Sequence, residues 1–313
     1  MLCETAVLFV KHNKMENSLF FGNGINNLSN KPISWNHLLN SLKEKNNFDN
    51  GSLPNTLIYE RALFQNHKDE DIREMEFELK SKIAKQLAVI QTNEFYKKLI
   101  DLNCKNYLTT NYDYALEKRF EAEGMQHSGN NTEDIYSVRR FTSVTTPSQK
   151  EICKIWHLHG EIGKPLSIML GFDQYCGSVS KIDGYIKGTY EFRENKKPVY
   201  IRRIELKLQE NKFDDRSWAE LFFNTNIHIL GFSLDFSETD IWWLLIKRAR
   251  MISDKKTSHL IKNEIYFYTP EEISQQQEGT LKSFKVHVIK TSRENGWEDF
   301  YNKSLTKAKT KMK

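Results

Sequence analysis

Cysteine is scarce in this chain of 313 residues, and long apolar runs are absent. No two cysteines form a Cys-x-x-Cys pair among Cys3, Cys104, Cys153 and Cys176. This spacing does not fit a zinc ribbon or a disulfide framework, so we expect a protein of the reducing cytoplasm. The apolar run Ala6–Val10 has five residues, which is too few for a signal-peptide core or a membrane span.

Excess charge of one sign is also small. The net charge is +5, and lysine and glutamate are distributed along the whole chain. The densest basic run, Lys303–Lys313, contains no aromatic residue, and a solvated terminus explains it better than a nucleic-acid site. The length, with 39% hydrophobic residues, is typical of one large α/β domain with inserted helices, or of two unequal domains.

Short apolar segments alternate with helical ones along the chain. The segments predicted as strands are Ser18–Phe21, Tyr107–Thr110, the surroundings of Phe141, Ile152–His159, Ile227–Leu230, Ile265–Tyr268 and Val286–Ile289. A helical insertion, about 32–104, separates the first two strands. A second insertion, about 161–215, contains a charged segment, 182–215, that is predicted as helix. This alternation indicates a single α/β domain over residues 1–313, with a doubly wound, Rossmann-like, mostly parallel sheet.

Two helix starts are predicted from capping residues. Thr92 is placed at the start of a helix that carries Phe95 and Leu99. Ser237, with Asp240 three residues later, has the spacing of a capping box for another helix. Both assignments give these polar side chains a local, structural role.

Four predicted strands end in loops that carry glycine or polar residues. These loops are Gly22–Asn26, Asn111–Asp113, His159–Gly160 and Gly231–Leu234. In a doubly wound sheet the ligand lies outside the carboxyl ends of the strands. The loops are far apart in sequence, but this fold places them at one edge of the sheet, and their convergence is the main evidence for a ligand site.

Two of these loops contain glycine. Gly22 and Gly24 follow a buried strand, and glycine permits close backbone approach, so a pyrophosphate can rest on exposed N–H groups there. Gly231 and Ser233 offer backbone amides and a hydroxyl to a phosphate. A plain strand-to-helix turn explains each loop at least as well in isolation.

The loop after the second strand offers a carboxamide and a carboxylate. Asn111 and Asp113 are two residues apart, and they point to the same side if the strand continues. Asn111 can hold a ribose hydroxyl or orient a water, and Asp113 can accept a hydrogen bond from an amide N–H. The alternative is an Asx-turn in which Asp113 caps the helix that follows.

His157 and His159 precede Gly160 on an otherwise apolar strand. An imidazole at the carboxyl end of a strand can act as a general base near neutral pH. His-x-His is also half of a metal site, but no third ligand lies at a suitable spacing, so no metal is expected. A core histidine satisfied by hydrogen bonds is the other interpretation, and it suits His157 better than His159.

The four loops, taken in their order along the chain, resemble those of the sirtuin superfamily, above all its bacterial branch found in antiviral defence. The residues similar to the family's glycine-rich phosphate loop are Gly22, Asn23, Gly24 and Asn26. Gly231 and Ser233 resemble the family's Gly-x-Ser segment. The resemblance implies that both loops bind NAD through its phosphates.

The other two loops resemble the part of the family's site that surrounds the nicotinamide ribose. Residues 109–113 are similar to its Thr-x-Asn-x-Asp segment. This implies that Thr110 lies in the NAD site, that Asn111 contacts the ribose and that Asp113 holds the nicotinamide carboxamide. His159 matches the histidine of the catalytic His-Gly pair. The resemblance therefore implies Asn111 and His159 as catalytic residues.

The chain departs from the deacylase sirtuins in two respects. It lacks their four paired zinc cysteines and their Pro-Asp-Phe-Arg segment after the first loop. The resemblance thus implies an NAD hydrolase without a zinc module or other metal, which takes NAD as its substrate and releases nicotinamide and ADP-ribose. Such an enzyme is expected to act in antiphage defence by depleting NAD. A protein deacylase and a non-catalytic sensor of NAD or ADP-ribose are the alternatives.

A constitutive NAD hydrolase would kill its own host. We therefore expect it to be inactive until it forms a homo-oligomer or meets a partner defence protein, such as an ATPase or a nucleic-acid sensor. The helical insertion, about 32–104, is the candidate contact. Neither membrane association nor direct, specific nucleic-acid binding is expected.

Overall fold

The computed structural model describes residues 15–29, 33, 38, 40, 42–43, 48–66, 71–130 and 132–313. The run Ala6–Val10 and most of the predicted start of the first insertion, about 32–47, lie outside these residues. The strands are β1 (Asn17–Phe21), β2 (Asn106–Thr109), β3 (Gln126–Gly129), β4 (Phe141–Thr145), β5 (Glu151–His157), β6 (Glu191–Glu194), β7 (Lys197–Tyr200), β8 (Asn226–Leu230), β9 (Ile265–Pro270) and β10 (His287–Thr291).

Eight of these strands form one sheet in the order β10-β9-β8-β1-β2-β5-β4-β3, and β6 and β7 form a separate hairpin. The six strands from β10 to β5 are parallel to one another, whereas β4 is antiparallel to β5, and β3 is antiparallel to β4. From β5 to β10 the parallel strands follow the 3-2-1-4-5-6 order of a doubly wound sheet, with its switch point between β1 and β8. The predicted fold class is therefore confirmed.

The strand ends next to the switch point are level with one another. Phe21, the last residue of β1, pairs with Thr109 of β2 and with Leu230 of β8. Thr109 in turn pairs with His157, the last residue of β5. The loops after these four strands therefore leave the sheet at the same height, along one edge.

Helices cover both faces of the sheet. They are α1 (Asn55–Asn66), α2 (Ile72–Leu87), α3 (Glu94–Ile100), α4 (Ala115–Ala122), α5 (Phe172–Lys187), α6 (Ile204–Glu210), α7 (Trp218–Asn224), α8 (Thr239–Ser253), α9 (Gln275–Ser283) and α10 (Trp297–Met312). Leu19 and Phe21 pack against the layer formed by α1 to α4 and α10, whereas Phe20 packs against α5 to α9. Because β1 is buried on both faces, its last three residues, Leu19–Phe21, are all apolar.

The described part of the first insertion is helical, but two local predictions there and in the second insertion are wrong. Asn93 rather than Thr92 caps α3, since its side chain accepts from the backbone N–H groups of Phe95 and Tyr96. The charged segment 182–215 is not continuous helix, because the hairpin of β6 and β7 interrupts it. Its turn residues, Asn195 and Lys196, have φ of 51° and 65°, which is the conformation of a tight two-residue hairpin turn.

None of the helices in the described ranges combines the length and the apolar character needed to cross a membrane.

Candidate functional site

A cleft of about 720 Å³ opens at the carboxyl edge of the sheet, beside the switch point. This size is typical of sites for small molecules and cofactors. The predicted residues that line it are Asn23, Gly24, Thr110, Asn111, Asp113, His159, Gly231 and Ser233. The structure thus brings loops from β1, β2, β5 and β8 to one cavity. Gly22 and Asn26 lie behind this wall instead.

The glycines after β1 allow two loops to touch. The Gly24 N–H donates to the carbonyl of Gly231 at 2.9 Å, and the Gly22 N–H points to the carbonyl of Leu230. A Cβ on Gly24 would lie 2.7 Å from the Gly231 oxygen and would overlap the Tyr301 hydroxyl. The Gly24 N–H is therefore engaged within the protein, so the expectation that it is exposed to a pyrophosphate is not met.

This packing predicts the effect of adding one methyl group. Gly24→Ala should destabilise the protein by about 1–3 kcal/mol, the typical cost of overpacking a close contact. Gly279→Ala on α9 is the matched control, because its Cβ would meet no atom of the described residues within 4 Å, and the change should be neutral or favour the helix by up to about 1 kcal/mol. Urea unfolding of both variants measures the difference. Equal midpoints would contradict the close approach of the two loops.

Asn26 connects the loop after β1 to the loop after β2. Its amide group donates to Asp113 Oδ2 at 2.8 Å and to Asn23 Oδ1 at 2.9 Å, and its own Oδ1 accepts from the Tyr96 hydroxyl at 2.6 Å. The side chain is 1% exposed. Both amide hydrogens of Asn26 and one acceptor position of its oxygen are used inside the protein, so Asn26 holds the loops after β1 and β2 together, and its predicted contact with NAD stays a prediction.

Asp113 forms the Asx-turn that the sequence left as an alternative. Its Oδ1 accepts from the backbone N–H of Ala115 at 2.9 Å, at the start of α4. Burial raises the pKa of Asp113, although the hydrogen bonds from Ala115 and Asn26 oppose this rise. Asp113 still lines the cleft, and a carboxylate oxygen can accept a second hydrogen bond. Asp113 can therefore also accept a hydrogen bond from a ligand amide.

Asn111 presents a donor that the described residues leave without a partner. Its backbone N–H donates to Thr109 Oγ1 at 3.0 Å, which fixes the turn out of β2. The residue is 6% exposed. Its Nδ2 makes no hydrogen bond of good geometry with the described residues, although it lies near enough to the Tyr96 hydroxyl to oppose the rise that burial causes in the pKa of Tyr96. Buried donors are almost always satisfied in folded proteins. An unsatisfied donor in the wall of a cleft therefore indicates a place for a ligand acceptor.

His157 is the satisfied core histidine that the sequence favoured. It is fully buried, and its Nε2 lies 2.7 Å from Glu117 Oε1. Its Nδ1 lies 3.3 Å from the backbone oxygen of Asn111. Burial lowers the pKa of His157, but the Glu117 carboxylate outweighs this effect and the net change is upward. The ring therefore supports the backbone of Asn111 from below.

His159 lies in the cleft wall between two carboxylates. Its Nε2 is 3.1 Å from Asp240 Oδ2, and its Nδ1 is 3.5 Å from Glu238 Oε2. Tyr175 packs edge-on against the ring, and its hydroxyl donates to Glu238 at 3.0 Å. Burial lowers the pKa of His159, but the two carboxylates raise it more. Burial also raises the pKa of Glu238, to about 7.

The sequence did not reveal Glu238, Asp240 or Tyr175 as site residues. The predicted capping box is wrong, because Ser237 bonds to Asp235 instead and Glu238 precedes α8 without a side-chain cap. Asp240 is fully buried and faces His159. Acidic residues in the first turn of a helix are common for electrostatic reasons, so the spacing alone did not distinguish a cap from a partner for histidine.

The same three groups have the spacing of a cation site. One possible ligand atom from each of His159, Glu238 and Asp240 lies within 4.8 Å of the other two. However, the two carboxylates approach different nitrogens of one ring, and a ring binds a given ion through one nitrogen. The contacts as they stand are those of a histidine held by two acidic partners.

The SIR2-like domain family matches residues 105–289 of the chain, more than half of its length. The protein belongs to this family. The match confirms the resemblance to sirtuins, and no curated protein matches the chain. SIR2-like domains are typically NAD-utilising enzymes. The SIR2-like match contains Asn111, His159 and Asp240, whereas β1 and its glycine loop precede it in the chain.

Proposed function

We propose that this SIR2-like protein hydrolyses NAD at the nicotinamide–ribose bond and releases nicotinamide and ADP-ribose. One observation carries the proposal: the unsatisfied amide of Asn111 and the ring of His159 line the same cleft beside the switch point of the sheet. The ribose of NAD carries hydroxyl groups, which can accept a hydrogen bond from an amide and can donate a proton to a general base.

The reaction would proceed by dissociation of the nicotinamide. The bond between the ribose C1′ and the pyridinium nitrogen breaks, its electron pair stays on nitrogen, and neutral nicotinamide leaves an oxocarbenium-like ribose. A water oxygen then bonds to C1′, and the proton that this water loses passes to His159. Asn111 orients the ribose or the attacking water. A cleft that holds the ribose and excludes bulk water needs little covalent help.

The remaining predicted residues would bind the rest of the substrate. Asp113 would hold the nicotinamide carboxamide, and Thr110, which also follows β2, would lie in the NAD site. Asn23, Gly231 and Ser233, on the loops after β1 and β8, would lie against the pyrophosphate. The Gly22 and Gly24 backbone would serve this site by letting those two loops meet, as their contacts with Phe232 and Gly231 indicate.

The proposal is tested by incubating purified protein with NAD in water enriched in ¹⁸O, alone and with proteins encoded beside it. Nicotinamide and ADP-ribose are separated by chromatography, and mass spectrometry should find one ¹⁸O in the ADP-ribose. Acyl-ADP-ribose formed only with an acyl-lysine peptide would instead indicate a deacylase. Saturable NAD binding without release of nicotinamide under every condition would indicate a sensor.

We further propose that the hydrolase acts in antiphage defence by depleting NAD, and that its activity depends on a homo-oligomer or a partner defence protein. The support is the SIR2-like family, whose members typically use NAD, and the toxicity of unrestrained NAD loss. Size-exclusion chromatography of active and inactive preparations tests this regulation. Full activity of a dilute monomer without any partner would contradict it.

A further inference from the structure

The ring of His159 has two different surroundings, one at each nitrogen. Nε2 faces Asp240, which is fully buried and does not line the cleft. Nδ1 faces Glu238 and the hydroxyl of Tyr175, and both of these residues line the cleft. One nitrogen therefore points into the protein, and the other lies on the side from which a substrate enters.

Asp240 is itself held in a fixed orientation. Its Oδ2 accepts from the Ser178 hydroxyl at 3.0 Å, and its Oδ1 accepts from the backbone N–H of Ile241 at 2.9 Å. These donors come from two helices, α5 and α8, that pack against each other. A carboxylate supports only donors. The nitrogen of His159 that lies 3.1 Å from Asp240 must therefore carry a proton to make a favourable contact. Nδ1 is different, because Glu238 lies 3.5 Å away, too far for a strong hydrogen bond, and burial raises the pKa of Glu238 to about 7, so that its protonated form can donate to Nδ1.

We propose that Asp240 is a positioning residue for His159. It holds Nε2 in the protonated form, and so makes Nδ1 the atom that accepts a proton on the cleft side. When Nδ1 takes a proton from water or a ribose hydroxyl, the ring becomes an imidazolium whose charge the Asp240 carboxylate balances. The proton returns to solvent from Nδ1 through the cleft. A buried acid plays this part beside histidine in hydrolytic triads, and the catalytic half of the inference rests on the proposed NAD hydrolysis.

The charged and titratable groups around the His159 ring determine the pH above which Nδ1 is unprotonated. Asp240 and Glu238 face it from the start of α8, Tyr175 and Ser178 face it from α5, and Tyr112 lies near both carboxylates. Burial lowers the pKa of His159, and the carboxylates raise it more. Replacing Asp240 with asparagine removes one of the raising charges, so the pKa of His159 should fall. The asparagine amide can also donate to Nε2, which would move the proton to Nδ1.

The direct test is nuclear magnetic resonance of protein labelled with ¹⁵N-histidine, without any NAD. The chain has nine histidines, and the signals absent from His159→Ala identify His159. In the wild-type protein the neutral ring should carry its proton on Nε2. In Asp240→Asn the proton should move to Nδ1, and the titration midpoint should shift to lower pH. Asp254→Asn, an exposed aspartate at the other end of α8, is the matched control and should leave both unchanged.

The same variants are then compared in NAD cleavage. Asp240→Asn should lower kcat by up to about 10⁴, as a wrong tautomer does in a histidine–acid pair, and should leave KM for NAD nearly unchanged. An unaltered tautomer and midpoint in Asp240→Asn would overturn the proposal, whatever the activity. Absence of NAD cleavage by the wild-type protein under every condition, with and without the proteins encoded beside it, together with the expected change in tautomer, would instead refute only the proposed hydrolysis.

Discussion

Replacement of His159 by alanine should lower the rate of nicotinamide release at saturating NAD by about 10²–10⁴, the usual contribution of a well-placed general base. The ring lines the cleft and is 1% exposed, so water cannot easily take its place with the same orientation. The loops proposed to contact the phosphates are not changed by this substitution. NAD should therefore still bind, with an affinity close to that of the wild-type protein.

His287→Ala is the control for this prediction. His287 lies on β10, is exposed and pairs with Glu264, so its loss should leave the rate unchanged. Single-turnover release of nicotinamide and calorimetric binding of NAD separate the chemical step from binding. A His159→Ala variant that keeps about the wild-type rate would show that another group accepts the proton.

The pH profile gives a second, independent readout of the same residue. The pKa of His159 is raised above its ordinary value of 6.5, so most of the ring becomes neutral only at a pH above 6.5. Activity of the wild-type protein should therefore rise with pH through a midpoint above 6.5. The residual activity of His159→Ala should lack this limb, since the titrating ring is gone.

Replacement of Asn111 by alanine should lower the rate by about 10²–10³, a typical cost of removing one well-placed donor. The folded protein should not lose stability, because no residue that the structure describes forms a hydrogen bond with the buried Nδ2 of Asn111, and removing an unsatisfied polar group relieves a desolvation cost of about 1–3 kcal/mol. The expected result is a slow enzyme with an unchanged or raised melting temperature. This combination distinguishes a ligand-directed side chain from one that holds the fold together.

Asn302→Ala is the matched control for Asn111. The side chain of Asn302 accepts from Lys98 on the neighbouring α3 and does not line the cleft, so the change should leave the rate unaltered. Differential scanning calorimetry and the nicotinamide assay are run on both variants. Full activity of Asn111→Ala would contradict its assignment to the ribose or the attacking water.

The sheet could be predicted from the sequence because its central strands are buried on both faces. Segments such as Ser18–Phe21 and Ile227–Leu230 are short, mostly apolar and followed by turn residues. This pattern can be recognised in the sequence without any knowledge of the tertiary contacts. The hairpin of β6 and β7 could not be found this way, since it is charged and mostly exposed. Its composition resembles that of a solvated helix.

The sequence could predict which loops form the cleft, but it could not predict the individual side-chain contacts within it. The parallel topology implies that loops after β1, β2, β5 and β8 share one edge, and this places Asn111 and His159 together. The partners of His159 depend on how α5 and α8 pack, so Tyr175 and Asp240 carry no signal in the local sequence. For the same reason, the sequence could not show that the Asn26 side chain is hydrogen-bonded to Asn23, Asp113 and Tyr96.

The most direct test of the account is a crystal structure of the His159→Ala variant with intact NAD. We expect the nicotinamide ribose to lie beside the amide of Asn111 with its C1′ facing position 159, and the pyrophosphate to lie against the loops after β1 and β8. A dinucleotide bound with its nicotinamide ribose away from Asn111 and His159, or bound outside the cleft altogether, would contradict it.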